Sequence, residues 1–187
     1  MSLVNALKNL NIKNEVTKDI KSLRNSEYII LPGVGSYNDL IQNLKKNFSI
    51  NDLKKVISSG KKFLGICVGM QVLSTLGREF KITEGLDLIK GEVKKIETSF
   101  KLPHVGWNSV FFNYENQIMK NIESGTDFYF THSFEYIPSD LNNILGETLY
   151  GKKITSIIRK DNIYGVQFHP EKSQEPGLQL LYNFYKL

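Results

Sequence analysis

Apolar residues recur at helical spacing in several segments, each bounded by residues that start or stop helices. An apolar stripe near the start of the chain predicts a helix over residues 2–10. The stripe consists of Leu3, Ala6, Leu7 and Leu10. Ser36 and Ser49 are good N-cap residues, each followed by an apolar stripe, and Gly60 ends the second of these helices. A closing amphipathic helix is predicted to begin near Pro176-Gly177.

Short apolar or β-branched runs predict the strands. Residues 27–31 and the run that ends at Cys67 are separated by helical patterns, which indicates a βαβ unit and therefore a parallel sheet. Further strands are expected at residues 14–17, 91–97, 107–112, 127–134, 143–150, 153–159 and 163–168. The later ones are short and broken by glycines, and Asp161-Asn162 predicts a hairpin turn, so this region is expected to be partly antiparallel. No repeat or linker divides the chain, which predicts one α/β domain over residues 1–187.

The composition is typical of a globular protein in a reducing compartment. Hydrophobic residues make up 41% and charged residues 23% of the chain, and a single cysteine excludes an internal disulfide framework. No apolar run approaches membrane length, and the first residues lack the pattern of a signal peptide. We therefore expect a cytoplasmic protein without a membrane or nucleic-acid partner. The net charge of +5 comes from scattered lysine pairs, which favours a solvated surface, although a protein partner or an anionic metabolite stays possible.

The only cysteine stands at the end of the second predicted strand. Gly65 and Gly69 flank Cys67 as Gly-x-Cys-x-Gly, which is the spacing of a nucleophile elbow with Cys in place of Ser. The predicted helix that follows carries Met70, Leu73 and Leu76 on one face and ends at Gly77. A sulfur at a helix N-terminus is favoured as the thiolate, and the same amides can hold an oxyanion. The alternative is that Cys67 is only a small buried hydrophobe.

A histidine and a carboxylate complete the set that an activated thiol needs. His169 ends an apolar strand, and Glu171 follows two residues later with Pro170 fixing the backbone between them. Of the three histidines this makes His169 the expected base. His104 and His132 are expected to be either satisfied polar residues or groups that line the site.

The loop Pro32-Gly33-Val34-Gly35 leaves a predicted strand at the sheet edge expected to carry Cys67. Open α/β sheets bind ligands at the carboxyl ends of their strands, so this loop and the cysteine should face one crevice. Its glycines would let a backbone N–H turn toward a developing oxyanion, although a simple tight turn explains them equally well. It is not a phosphate-binding loop, because no Lys-Ser/Thr pair follows.

Five motifs in chain order resemble those of class I glutamine amidotransferases, and most of all the glutaminase subunits of imidazole glycerol phosphate synthases. The motifs are Pro-Gly-Val-Gly at 32–35, Gly-Ile-Cys-Val-Gly-Met-Gln at 65–71, Pro-His-Val-Gly-Trp-Asn at 103–108, Thr-His-Ser-Phe at 131–134 and Gly-Val-Gln-Phe-His-Pro-Glu-Lys-Ser-Gln at 165–174. The resemblance implies a flavodoxin-like three-layer sandwich, with a mostly parallel central sheet and an antiparallel region. That family begins with a strand and a Gly-x-Gly-Asn turn before the helix that starts here at Met1, so the first strand is expected to be absent.

The resemblance also implies the catalytic roles. Cys67 would attack the glutamine carboxamide and form a glutamyl thioester. His169 would protonate the departing ammonia and then activate water, with Glu171 orienting the ring. The backbone amides of Val34 and Val68 would form the oxyanion hole, the former after a backbone flip.

Substrate and partner contacts are implied in the same way. The residues expected to bind glutamine are Gln71, Thr131, His132, Ser133 and Phe134. The residues expected to contact a partner are Lys172, Trp107 and Asn108. The partner would be a (βα)8-barrel cyclase in a heterodimer, which uses the ammonia to make imidazole glycerol phosphate and AICAR in histidine biosynthesis. No cofactor and no metal are expected.

Three alternatives remain open at this point. One is a paralogue that supplies ammonia to another synthase, such as one that aminates a surface sugar. Another is a catalytically impaired binding subunit. The third is a stand-alone cysteine hydrolase on the same fold, against which Gln71 and residues 131–134 argue.

Overall fold

The computed structural model describes residues 2–112 and 116–187. All five helices predicted from the apolar stripes are present, and the one after Cys67 is shorter than predicted. The helices are α1 (Leu3–Asn9), α2 (Ile20–Asn25), α3 (Tyr37–Asn47), α4 (Ile50–Ile57), α5 (Val68–Gln71) and α6 (Gln174–Tyr185). Short 3-10 helices lie at Gln117–Met119, Leu141–Asn143 and Pro170–Lys172. The predicted caps are confirmed, because the hydroxyls of Ser36 and Ser49 accept backbone N–H groups in the first turns of α3 and α4.

Seven of the eleven strands in the described residues form one mixed sheet. The strands are β1 (Tyr28–Gly33), β2 (Lys62–Cys67), β3 (Leu76–Gly77), β4 (Thr83–Glu84), β5 (Gly91–Lys95), β6 (His104–Phe111), β7 (Thr126–His132), β8 (Phe134–Pro138), β9 (Ile144–Leu149), β10 (Lys153–Lys160) and β11 (Ile163–Val166). The order in the large sheet is β1-β2-β11-β10-β9-β6-β7. Within this sheet only β1, β2 and β11 are parallel neighbours, so its parallel part is smaller than expected and its antiparallel part larger.

The hairpin between β10 and β11 is confirmed, with Lys160 opposite Ile163 and Asp161 at a φ of 52° in the turn. The strand predicted at residues 14–17 is not formed, and these residues carry no regular structure. A strand needs a neighbour for its backbone groups, and residues 14–17 do not pair with the open edge of β1, whose partner among the described strands is β2. Val16 is 81% exposed in consequence.

A second, four-stranded sheet of order β4-β3-β5-β8 explains two other differences from the predictions. The helix after Cys67 ends at Gln71 rather than near Gly77, because Leu76 and Gly77 pair with β4 and β5 instead. The strand predicted over residues 127–134 is divided at Ser133, since β7 belongs to the large sheet and β8 to the small one. Apolar spacing does not reveal where a chain passes from one sheet to another.

Helices cover both faces of the large sheet around Cys67. Tyr164 and Gly165 are successive residues of β11 and therefore point to opposite faces. The ring of Tyr164 lies against Phe184 of α6, with centroids 6.5 Å apart. A β-carbon on Gly165 would lie 2.7 Å from Cγ of Met70 in α5, so α5 packs on the other face. None of the helices in the described ranges combines the length and the apolar character that crossing a membrane requires.

Candidate active site

Cys67 occupies a strained turn between β2 and α5. Its φ of 55° and ψ of −115° lie outside the regions that L-residues ordinarily adopt. The flanking glycines are needed because the backbone is crowded there. A β-carbon on Gly65 would lie 2.4 Å from the carbonyl oxygen of Gly69, and one on Gly69 would lie 1.9 Å from that of Leu31. The close packing of β1, β2 and α5 therefore holds the sulfur at the start of the helix, as the elbow spacing predicts.

His169 lies between the cysteine and the carboxylate. Its Nδ1 donates a hydrogen bond to Oε1 of Glu171 over 2.9 Å, which leaves Nε2 to meet the side chain of Cys67. Burial alone would lower the pKa of His169, but the contacts with Cys67 and Glu171 outweigh it and raise this pKa from its ordinary value of 6.5 to about 9. At neutral pH the ring is therefore an imidazolium.

Two backbone contacts keep that ring in place. The His169 N–H donates to the carbonyl oxygen of Tyr129 over 2.9 Å. The hydroxyl of Ser173 donates to the His169 carbonyl oxygen over 2.7 Å. His169 is only 3% exposed, so water has little access to the imidazole except from the cavity that it lines.

A cavity of about 320 Å³ opens in front of the sulfur. Most of the predicted site residues line it: Val34, Cys67, Val68, Gln71, Thr131, His132, Ser133, Phe134, His169 and Lys172. Gly33, Gly35, Glu79 and Pro103 complete the wall. The size suits a small metabolite rather than a polymer.

The Pro32-Gly33-Val34-Gly35 loop faces this cavity, as expected from the position of β1. Gly33 pairs with Cys67 in the parallel register, so both strands end at the same edge of the sheet. A β-carbon on Gly33 would lie 2.3 Å from the backbone nitrogen of Gly69, which places the loop directly against the elbow. Val34 and Val68 consequently both border the cavity in front of the sulfur.

His104 and His132 form a buried pair beside the cavity. Nδ1 of His104 lies 3.0 Å from Nε2 of His132, whose own Nδ1 lies 2.8 Å from the carbonyl oxygen of Phe134. Burial lowers the pKa of each ring to about 4, so both are neutral at neutral pH. His169 is thus the only one of the three histidines that carries a charge there.

Three side chains next to the cavity form a group that we call the surface cluster: Trp107, Tyr129 and Lys172. The Lys172 ammonium lies 5.6 Å from the centre of the Tyr129 ring, and the Trp107 ring meets the same tyrosine edge-on at 6.1 Å. Trp107 and Lys172 are exposed and Tyr129 is half-buried between them. Lys172 also lines the cavity. Asn108 does not join this cluster, because its side-chain amide donates to Nε2 of His104 and to the carbonyl oxygen of Leu149.

Two polar residues of the site were not expected from the sequence. Glu79 lines the cavity, and its Oε2 accepts the N–H of Tyr37 at the start of α3 over 2.7 Å. Gln167 is fully buried next to the sulfur, with Nε2 3.7 Å from Sγ of Cys67. Gln167 could have been found from the two-residue spacing to His169, whereas nothing near Glu79 in the sequence marks it.

Comparison with known proteins decides the family. The profile described as glutamine amidotransferase class-I matches residues 1–187. The chain belongs to the class I glutamine amidotransferases. This amidotransferase is 40% identical to the imidazole glycerol phosphate synthase subunit HisH of Moorella thermoacetica, over 100% of this chain and 89% of the relative. It is 42% identical to the subunit of the same name from Caldanaerobacter subterraneus, over 98% of this chain and 90% of that one.

A solved structure shows the same fold at lower identity. The amidotransferase superposes with a TM-score of 0.64 on a glutamine amidotransferase from Thermotoga maritima, at 13% identity and over 98% of this chain and 76% of the other. The α/β fold predicted from the resemblance is therefore confirmed. The likeness to the imidazole glycerol phosphate synthase branch is confirmed by the curated relatives, which match over nearly the whole chain.

Proposed function

We propose that this amidotransferase hydrolyses glutamine to glutamate and ammonia and passes the ammonia to a barrel cyclase subunit, which makes imidazole glycerol phosphate and AICAR in histidine biosynthesis. The observation that carries the proposal is the meeting of Cys67, His169 and Glu171 at a cavity of suitable size. The names of the curated relatives support the choice of pathway.

The first half of the reaction follows from the charges in the site. Cys67 attacks the carboxamide carbon of glutamine as the thiolate, and the carbonyl oxygen becomes an oxyanion. His169, held as the imidazolium, gives its proton to the amide nitrogen as the carbon–nitrogen bond breaks. Ammonia leaves and the glutamyl group stays on the sulfur as a thioester.

The second half reverses the direction of proton transfer. The neutral imidazole of His169 now takes a proton from a water molecule, which attacks the thioester carbon. The carbon–sulfur bond breaks, glutamate leaves, and the thiolate and imidazolium are restored. Glu171 acts throughout by holding Nδ1–H, which keeps Nε2 directed at the reacting atoms.

Backbone N–H groups at Val34 and Val68 would stabilise the oxyanion. Val68 follows the nucleophile and begins α5, which is where this donor lies in a nucleophile elbow. Val34 belongs to the loop packed on the elbow. Its N–H would have to turn toward the cavity, and the flanking Gly33 and Gly35 permit that rotation.

The cavity wall provides groups for the rest of the glutamine molecule. The carboxylate of Glu79 suits the α-ammonium group, since it is the acidic side chain of the cavity lining. The amide of Gln71 and the segment Thr131 to Phe134 lie across the cavity and would hold the carboxamide end and the backbone of the substrate.

The surface cluster supports the partner proposal. An exposed tryptophan packed against a half-buried tyrosine next to a site is typical of a docking surface, and the exposed Lys172 adds a positive charge beside the two rings. Direct transfer is physically reasonable because ammonia released into water at neutral pH is mostly ammonium, which is not a nucleophile. We place the complex in the cytoplasm, where a free Cys67 stays reduced.

Glutamate release, measured for the purified chain alone and with the cyclase subunit, tests the proposal. We expect slow hydrolysis alone and strong stimulation by the cyclase. Full activity of the chain alone would favour a stand-alone hydrolase, and the absence of activity with the cyclase would favour an impaired subunit. Stimulation by a different synthase only would overturn the assignment to histidine biosynthesis.

A further inference from the structure

Gln167 lies beside the nucleophile, outside the lining of the cavity, and the proposed reaction steps do not use it. Its side chain is fully buried, and its Nε2 is 3.7 Å from Sγ of Cys67. It reaches this place because its backbone N–H pairs with the carbonyl oxygen of Ser156, next to the end of β11. Either the N–H end or the carbonyl end of a buried amide can face a sulfur, so the orientation of the Gln167 amide has to be established from its other hydrogen bonds.

A backbone carbonyl decides which end faces the sulfur. The carbonyl oxygen of Phe134 can only accept, and Nε2 of Gln71 donates to it over 3.1 Å. The same Nε2 donates its second hydrogen to Oε1 of Gln167 over 2.9 Å. The carbonyl end of the Gln167 amide is therefore turned to Gln71, and its N–H end must face Cys67.

The Phe134 carbonyl is itself held by a second chain of donors. Nδ1–H of His132 donates to it, and Nε2 of His132 accepts from Nδ1–H of His104. Nε2 of His104 accepts from the amide of Asn108, which also donates to the carbonyl oxygen of Leu149. Every donor in this chain has an acceptor. Because the carbonyl oxygens of Leu149 and Phe134 at its two ends can only accept, both histidine rings carry their proton on Nδ1.

We propose that Gln167 is a positioning residue for Cys67, which donates an N–H to the sulfur and thereby favours the thiolate over the thiol. This inference rests on the proposed function. A sulfur anion accepts a hydrogen bond better than a neutral thiol does, so a donor held at this distance stabilises the charged form. His169 and Gln167 thus both contact the Cys67 side chain, the first as the proton donor of the reaction and the second as a fixed hydrogen-bond donor.

Alkylation of Cys67 tests the proposal without requiring glutaminase activity. Because the chain has one cysteine, iodoacetamide reports on this thiol alone, and its rate against pH gives the pH at which the thiolate forms. The variants are Gln167→Met, which keeps the length and loses the N–H, and Gln167→Glu, which turns an acceptor to the sulfur. Gln179→Met is the control, because it removes a glutamine amide that bonds Asn183 within α6.

We expect Gln167→Met to raise the midpoint of the alkylation profile by about one pH unit and Gln167→Glu to raise it further. Gln179→Met should leave it unchanged. An unchanged midpoint in a folded Gln167→Met variant overturns the proposal. If the proposed function is wrong, the wild type will show the alkylation profile but release no glutamate, so the two failures can be told apart.

If the variants do not fold, a measurement on the wild type tests whether the Gln167 amide donates to the Cys67 sulfur. The side-chain amide protons of Gln167 should shift in an NMR titration at the pH at which alkylation of Cys67 sets in. Cys67→Ala should abolish that shift. Amide resonances that do not respond to ionisation of Cys67 would overturn the proposal.

Discussion

Nδ1 of His169 lies 2.9 Å from Oε1 of Glu171, and this contact, together with the stronger one to Cys67, keeps the histidine charged at neutral pH despite its burial. Oε2 of Glu171 is buried and has no hydrogen-bond partner among the described residues, so the ring is the main contact of the carboxylate. The contacts of the imidazolium with Cys67 and Glu171 stabilise the fold fully below pH 6.5, and this contribution is lost as the pH rises through about 9.

Replacing Glu171 by Gln should lower the pKa of His169 and lower kcat at least about tenfold, because the ring is then less firmly oriented and loses its proton earlier. The basic limb of the pH profile of kcat/KM should move to lower pH. Glu175→Gln is the matched control, since it removes an exposed carboxylate in the first turn of α6. A basic limb that stays in place in Glu171→Gln would contradict this role.

Val34→Pro tests the backbone donor in the loop, because proline has no N–H. Gly33 before it lies in an extended strand, which proline accepts. We expect kcat to fall by about a hundredfold with little change in the alkylation of Cys67. Val34→Ala keeps the N–H and should retain kcat, since this side chain is 84% exposed. Equal activity of the proline and alanine variants would exclude Val34 from the oxyanion hole.

Gly69→Ala should destabilise the protein by about 3 kcal/mol, because the new β-carbon would lie 1.9 Å from the carbonyl oxygen of Leu31. This oxygen belongs to the backbone of β1, which cannot move away as the end of a flexible side chain can. Urea unfolding followed by circular dichroism measures the effect. In Gly35→Ala the β-carbon meets nothing within 4 Å, and only the positive φ of 87° costs stability, about 1 kcal/mol. Equal losses in the two variants would mean that the elbow is not closely packed.

The surface cluster should govern docking. Trp107→Ala and Lys172→Ala are each expected to weaken binding of the cyclase subunit by about tenfold while leaving the unfolding midpoint unchanged, because both side chains are exposed. Titration calorimetry measures the affinity. Lys186→Ala is the control, since Lys186 lies over the Tyr182 ring at 5.4 Å in the same way that Lys172 lies over Tyr129. Unaltered affinity in both cluster variants would place the partner elsewhere.

The parts of the site that follow from local spacing were predictable from the sequence. The elbow needs glycines at fixed distances from Cys67, and His169 and Glu171 are two residues apart, so both features are visible in short motifs. The α/β class and the caps at Ser36 and Ser49 follow from local patterns in the same way.

The parts that depend on distant pairing were not predictable in this way. Leu76 and Gly77 have a helical pattern, yet they pair with strands that come later in the chain, and this tertiary pairing outweighs the local preference. Gln167 gains its role only because Gln71 and Phe134, far away in sequence, fix its amide. Glu79 likewise reaches the cavity through a contact with Tyr37.

The most direct test of the nucleophile is the rate at which Cys67→Ala releases glutamate in the presence of the cyclase subunit. The substitution removes a small buried side chain, so circular dichroism should show a folded protein. We predict a loss of at least about a thousandfold relative to the wild type, because no other thiol can form the thioester. Glutamate release at the wild-type rate from the folded Cys67→Ala protein would contradict the account.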